Sequence, residues 1–415
     1  MKFTKQDKEA INNIISQSSG VGITVSGAKV IRTSSRFCLG VEHGDYNGTE
    51  LFGFGVDRFI WIAYKPNNTG RIRLFSCNFS GDGIIEFGLS KVPNPKSKII
   101  GNTWGRFAYG VEYILRREGF ELTEGMDAVV YGNIPGGGMS RSASLTLNLI
   151  LSTLDVNGIK IESKFKIVEL ARAVENDYIG SPCGELDQIM ILFAQEGTGV
   201  HYNPKTKSIS YIPFSACGDD FRIVILDTGT VRSGLEKSTY KIRRAECEKL
   251  VGLMREAGYK INCLADIRSQ KLYDKVMSQF KMQYPNLCER LNYIYHAQQR
   301  FYKMLKAWKK GDIWTVGRLF NEDGIGLRDH YKISGPQLET MCDIAREVPG
   351  VLGARMLGGG DKGAAAALVR VGSIETLKHT IEKKYPQKHP EYTDKFSIHI
   401  CNLAKGVQTF DELLV

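Results

Sequence analysis

The chain has 415 residues, of which 42% are hydrophobic and 24% charged, with a formal net charge of +10. This length predicts two or three domains, and the composition is that of an ordinary globular protein able to bury a large core. No apolar run reaches the ~18 residues of a membrane span, the polar N-terminus lacks the apolar run and cleavage site of a signal peptide, and the nine cysteines are scattered without a C-x-x-C pair, which argues against a disulfide framework or zinc site and for a reducing, cytoplasmic setting.

Residues 4–19 read as a first helix. Val, Ile and Thr are dense enough from Thr24 to Ile31 for a strand or two. Ser34 to Gly48 is polar and charged, whereas Leu51 to Ala63 is strand-like, so a polar loop is expected between apolar strands, where function often sits. In that loop Arg36, Glu42, His43 and Asp45 place one cation, two carboxylates and an imidazole within ten residues. Such a set can hydrogen-bond several hydroxyls at once; a charged surface turn around Asp45 to Gly48 is the alternative. Trp104 to Leu115 has helical spacing with one apolar face, which reads as core.

Met126 to Leu154 then reads as an apolar strand, three glycines with small hydroxyl residues, and an apolar helix. Gly136, Gly137 and Gly138 let the backbone approach a ligand closely, and the start of the helix presents N–H groups to an anion. A phosphate suits this turn, with Ser140 and Ser142 adding hydroxyls. The alternative is a tight strand-to-helix turn in which Ser140 or Ser142 is an N-cap. It is not a Walker loop, because the Gly-Lys-Ser/Thr ending is missing.

A further helix spans about Lys164 to Tyr178 and leads into Gly180 to Gln188, GSPCGELDQ. Asp187 sits just ahead of the apolar IMILFA; burial there would disfavour its charged form, and a nearby arginine would do the opposite. Strands are expected near 198–202, 208–213 and 221–227, and a helix over 238–257 that begins with Tyr240, Lys241, Arg243 and Arg244. A long amphipathic helix carries Leu291 to Trp308. Its lysines, Lys303, Lys306, Lys309 and Lys310, form the densest basic group and read as a solvated face rather than a nucleic-acid site. In Val351 to Arg370 a second glycine cluster precedes small apolar residues. That pattern serves either a tight turn or a second backbone wall beside a nucleotide.

Taken in order, these stretches resemble the GHMP family of small-molecule kinases, in its galactokinase branch, over nearly the whole chain. Arg36, Glu42, His43, Asp45, Tyr46, Asn47 and Gly48 are similar to the galactokinase signature; Gly136 to Ala143 to the family's phosphate loop; Cys183, Gly184, Asp187 and Gln188 to the stretch with its catalytic aspartate. Thr228 to Glu248 looks like the segment carrying a sugar-contacting tyrosine, here Tyr240, and Gly353 to Met356 with the following glycines look like the third motif. The resemblance implies an α+β fold of two domains, 1–195 ribosomal protein S5 domain 2-like and 196–415 ferredoxin-like, with the active site between them and the boundary not necessarily a single cut.

It further implies that Asp187 takes or orients the proton of a sugar's anomeric hydroxyl and that Arg36 offsets the charge of the forming alkoxide. Glu42, His43, Asp45, Gly184 and Tyr240 would hold the sugar. Gly136, Gly137, Gly138, Ser140 and Ser142 would wrap the phosphates of ATP, and Ser142 with Glu175 would hold Mg²⁺. The implied activity is ATP-dependent phosphorylation of galactose at C1 by a cytoplasmic monomer or weak homo-oligomer, without nucleic-acid or membrane partners. A galacturonic acid kinase and a non-catalytic sugar and ATP sensor are the alternatives; Glu42 favours galactose, because a carboxylate repels the sugar acid. The chain departs from the family pattern at Ser34 and Ser35, Val41, Pro135, Arg141 (for the middle serine of the phosphate loop), Leu357, Asp361 and Lys362.

Overall fold

A long hairpin carries the first half of the chain in the computed structural model, which describes residues 3–95, 103–217, 220–231, 238–410 and 413. Strands β1 (Lys29–Gly40) and β2 (Leu51–Pro66) pair antiparallel, with Ile31 opposite Ile62 and Arg36 opposite Gly55. Side chains alternate across the sheet. Phe59, Trp61 and Ala63 enter a small core under helix α1 (Lys5–Ser18), while Ile60, Ile62 and Tyr64 enter the main core. Asp7 pins α1 to this face: its buried carboxylate accepts from Trp61 Nε1 at 2.8 Å and from Arg32 Nη1 at 2.7 Å.

Strands β3 (Arg71–Ser76), β4 (Ile85–Gly88) and β5 (Met126–Gly132) extend the sheet, with β5 antiparallel to β2 and parallel to β3. A parallel pair needs a crossover, and helix α2 (Arg106–Arg117) lies in it. Helices α3 (Arg141–Val156), α4 (Lys164–Ala173) and α5 (Leu186–Leu192) cover the main-core face. Two polar residues of α3 bond the sheet: Ser144 Oγ pairs with Thr33 Oγ1 at 2.8 Å and Asn148 Nδ2 donates to Ile60 O at 2.9 Å. Beyond α4 the backbone widens into a π turn, Val174–Ile179, which carries Glu175.

The chain's two sheets do not divide at residue 195. Strands β6 (Thr198–Asn203) and β7 (Ser208–Pro213) join the first sheet through β2. The second sheet takes β8 (Phe221–Asp227), β9 (Val351–Met356), β10 (Ala364–Arg370) and β11 (Ser397–Cys401), in the order β11-β8-β10-β9, all antiparallel. Strand β12 (Val407–Phe410) then returns to the edge of the first sheet beside β1. Helices α6 (Thr239–Glu256), α7 (Gln270–Phe280), α8 (Pro285–Lys309), α9 (Ile313–Gly326), α10 (Pro336–Arg346) and α11 (Ile374–Lys388) belong to this second half. Both α9 and α10 pack on β9.

One expectation needs correction. Ser34 to Gly40 is the buried end of β1, not loop. The Ser35 and Arg36 side chains are met inside: Ser35 Oγ donates to Met139 O at 2.7 Å and Arg36 Nη1 to Gly138 O at 3.0 Å, while the Ser34 backbone N–H donates to Gly406 O at 2.7 Å. The strand starts at Lys29 rather than Thr24, and the loop proper is confined to Val41 to Glu50.

Candidate active site

The triple-glycine turn lies against the second glycine cluster, backbone on backbone. A Cβ added to Gly363 would stand 2.5 Å from the Gly137 carbonyl carbon, and one added to Gly358 would stand 2.8 Å from Gly138 Cα. The Ala364 N–H donates to Gly137 O at 2.9 Å, which locks the contact. Gly138 and Gly363 both have positive φ, 91° and 105°, a conformation that only glycine adopts freely. Gly363 is further held from β8: Thr228 Oγ1 donates to its carbonyl at 2.5 Å, and its N–H donates to Thr230 Oγ1 at 2.8 Å. Gly136 N–H donates to Asp227 Oδ2 at 2.7 Å.

A cleft of about 720 Å³ opens beside this turn, and it gathers Arg36, Glu42, His43, Asp45, Ser142, Glu175, Gly184, Asp187 and Tyr240. At its floor Arg36, almost fully buried, meets Asp187: Nε to Oδ1 is 2.8 Å and Nη2 to Oδ1 is 2.7 Å, with the carboxylate about a third exposed (32%) to the cleft. Asp187 stands in the first turn of α5, where the helix dipole favours a negative charge. Burial raises the pKa of Glu42, against the opposing charges of Arg36 and Arg355 and the Gly358 N–H, which donates to Oε1 at 3.1 Å. Asp45 is likewise raised by burial, and the Leu186 N–H donates to its Oδ2 at 3.2 Å. Gly184 must be glycine, since a Cβ there would lie 2.0 Å from Asp45 Oδ2. His43 Nδ1 pairs with Tyr46 Oη at 2.9 Å, and the His43 ring leans on Tyr240 at 5.3 Å between centroids.

A second, more apolar cleft adjoins the first, lined by Trp104, Phe107, Leu145, Gly136, Gly137 and Arg141 among others. Ser142 lines both clefts. Its Oγ donates to Glu175 Oε2 at 3.1 Å, and Gln188 Nε2 donates to Oε1 at 3.2 Å. Burial first, and then the charge of Asp187, push Glu175 up to about 8. A hydroxyl and a carboxylate are the oxygen donors that Mg²⁺ takes, and Mg²⁺ fills its remaining positions with phosphates and water. Gly138 and Ser140 line neither cleft: the first gives its carbonyl to Arg36, and the second sits at the N-cap of α3 with no side-chain capping bond.

Two contributors, Asp227 and Arg355, were not assigned roles from the sequence. Asp227 anchors the glycine turn from β8. Gly358 and Gly359, from the second glycine cluster, line the cleft that holds Asp187. Arg355 on β9 is wholly buried behind Glu42: it is 3.6 Å from Glu42 Oε1, pairs with Asp323, and donates to Cys38 O at 2.8 Å across the gap between the sheets. An arginine among Gly353, Ala354, Met356 and Leu357 was the available signal, because a charge is kept in such surroundings only when paired.

Comparison with known proteins gives the same picture. The GHMP kinases N terminal domain model matches residues 106–195. Galactokinases of Limosilactobacillus fermentum (30% identical, 84% of this chain and 87% of theirs) and Streptococcus mutans (32%, 83% and 86%) are similar over most of their length. The crystal structure of Lactococcus lactis galactokinase complexed with galactose superposes with a TM-score of 0.88 at 26% identity, covering 97% of this chain and 100% of that one. The Methanococcus jannaschii mevalonate kinase shares the fold, with a TM-score of 0.63 at 16% identity and coverage of 90% and 98%.

Proposed function

The chain belongs to the galactokinase branch of the GHMP kinase family and is an ATP-dependent sugar 1-kinase, and we propose that its sugar is galactose. The observation that carries this choice is the charge of the sugar-side cleft. Among the described residues lining it, Arg36 is the single arginine or lysine, and Asp187 already engages it. Glu42 and Asp45 add two carboxylates. Such a lining accepts hydrogen bonds from neutral hydroxyls and repels a sugar carboxylate, which counts against galacturonic acid.

Asp187 receives the proton of the anomeric hydroxyl, the resulting oxygen attacks the γ-phosphorus of ATP, and ADP leaves. Phosphoryl transfer asks mainly for positioning and charge neutralisation. The Arg36 guanidinium, fixed by Asp187 and the Gly138 carbonyl, supplies the positive charge beside the alkoxide and the transferring group. Glu42, His43, Asp45, Gly184 and Tyr240 orient the sugar. Gly136 and Gly137 cradle the phosphates, and Trp104 and Leu145 offer an apolar recess for the base. Ser142 and Glu175 would hold Mg²⁺, which would neutralise phosphate charge.

The test is a panel of galactose, galacturonic acid, arabinose, fucose and glucosamine with Mg-ATP, read as ADP release. Galactose is expected to give the highest kcat/KM. Preference for galacturonic acid would overturn the choice of sugar, and sugar binding without turnover on any of the five would leave the sensor.

A further inference from the structure

Arg141 and Ser142 are neighbours at the start of α3 but face different compartments. Ser142 touches both clefts, whereas Arg141 lines the nucleotide side, with Trp104 and Leu145, and not the cleft that holds Asp187. Its Nη2 donates to Ile134 O at 2.6 Å. No carboxylate pairs with it among the described residues. The one acidic group close enough to be felt is Asp227, whose two oxygens are taken by the N–H groups of Gly136 (2.7 Å) and Gly229 (3.0 Å). Beside it the Ser140 hydroxyl is buried, 7% exposed, with no partner. An uncompensated guanidinium therefore stands between the glycine turn, which faces a polyphosphate, and the apolar recess, which suits a base.

A cation without a counter-charge in a cleft that admits a polyanion marks where the anion's charge comes to rest. We infer that Arg141 is a nucleotide-binding residue that grips the α-phosphate end of ATP and ADP alike. The inference rests on the kinase reading above and deepens it. Because Arg141 points away from Asp187, it does not sense the γ-phosphate and contributes equally before and after transfer. That is uniform binding, which appears in KM and not in kcat.

A purely structural role is the competing account: the bond to Ile134 O ties the two ends of the glycine turn together. Arg141→Gln separates the two, since its amide still reaches a carbonyl but carries no charge. Isothermal titration of ADP and of adenosine into the unmodified protein and the variant needs no turnover, so it stands apart from the sugar assay. Arg141→Gln is expected to weaken ADP binding roughly tenfold, the scale of one charge-assisted bond, and to leave adenosine binding unchanged. The KM for ATP should rise in parallel, with kcat at saturating ATP changed less than twofold, and Arg141→Lys should recover most of the loss. Unchanged ADP affinity in the glutamine variant would overturn the inference. So would an equal loss for adenosine, or a loss that falls on kcat instead of KM. If the glutamine variant does not fold, the lysine and methionine variants give the same contrast of charge against no charge.

Discussion

Arg36 Nε and Asp187 Oδ1 stand 2.8 Å apart across the floor of the sugar-side cleft, the arginine almost sealed from solvent and the aspartate open to it. The asymmetry sets what each variant should do. Asp187→Asn keeps an oxygen for Arg36 but cannot take a proton. It should lower kcat by about 10²–10⁴-fold with little change in melting temperature. Asp187→Ala should lose the same activity and also stability, about 1–3 kcal/mol, because a buried charge is left without its partner. Steady-state kinetics paired with urea denaturation distinguishes the two; near-normal turnover in Asp187→Asn would remove it from the proton transfer.

Arg355 backs Glu42, its guanidinium 3.6 Å from Oε1, so its removal tests the proposed sugar-holding role of Glu42. With Arg355→Met, Glu42 loses one of its two cations and Asp323 one of its partners. We expect a loss of about 3–5 kcal/mol in stability and, well below the melting temperature, a higher KM for the sugar with an unchanged KM for ATP. A rise confined to the KM for ATP would show that Arg355 serves the glycine wall instead.

The glycine-on-glycine contact leaves no room for a methyl group. Gly363→Ala puts a Cβ 2.5 Å from the Gly137 carbonyl carbon at a φ of 105°, and what it strikes is backbone. The strain should cost roughly 1–3 kcal/mol, and the displaced turn should raise the KM for ATP. Wild-type stability together with a wild-type KM would show that the turn yields freely.

Asp7 predicts an acid-sensitive anchor for α1. Burial pushes its carboxyl up, but hydrogen bonds from Trp61 and Thr4 and the charge of Arg32 outweigh burial and hold it below its ordinary value. A lowered folded-state pKa gives stability that is complete above the unfolded value, about 3.9, and is lost as pH falls through the folded one. Asp7→Asn should therefore cost about 3 kcal/mol at pH 7, a gap to wild type that narrows below about pH 4. Denaturant titrations of both proteins from pH 3 to 7 check this, and a gap that widens on acidification would contradict it.

Much of the site was legible because its chemistry is dense in the sequence. Arg36, Glu42, His43 and Asp45 lie within ten residues, and the glycine turn announces itself between an apolar strand and an apolar helix. Periodicity also placed α3, α6 and α8. What stayed hidden depends on partners distant in sequence. Ser34, Ser35 and Arg36 read as loop because polar residues are rarely buried; pairing with β2 makes a strand of them, and Met139 and Gly138 meet the side chains of Ser35 and Arg36 inside. Arg355 had no role in the sequence reading; the structure closes Asp323, Cys38 and Glu42 around it. The upward shift of Glu175 comes first from burial and then from Asp187, twelve positions later.

The return of β12 to β1 carries a consequence for synthesis. Val30 pairs with Phe410, so that edge of β1 stays unpaired on a ribosome until residue 410 has emerged. The hairpin of β1 and β2 can form early, but its outer rim must wait for a strand distant in sequence, a non-local pairing of the kind that slows folding.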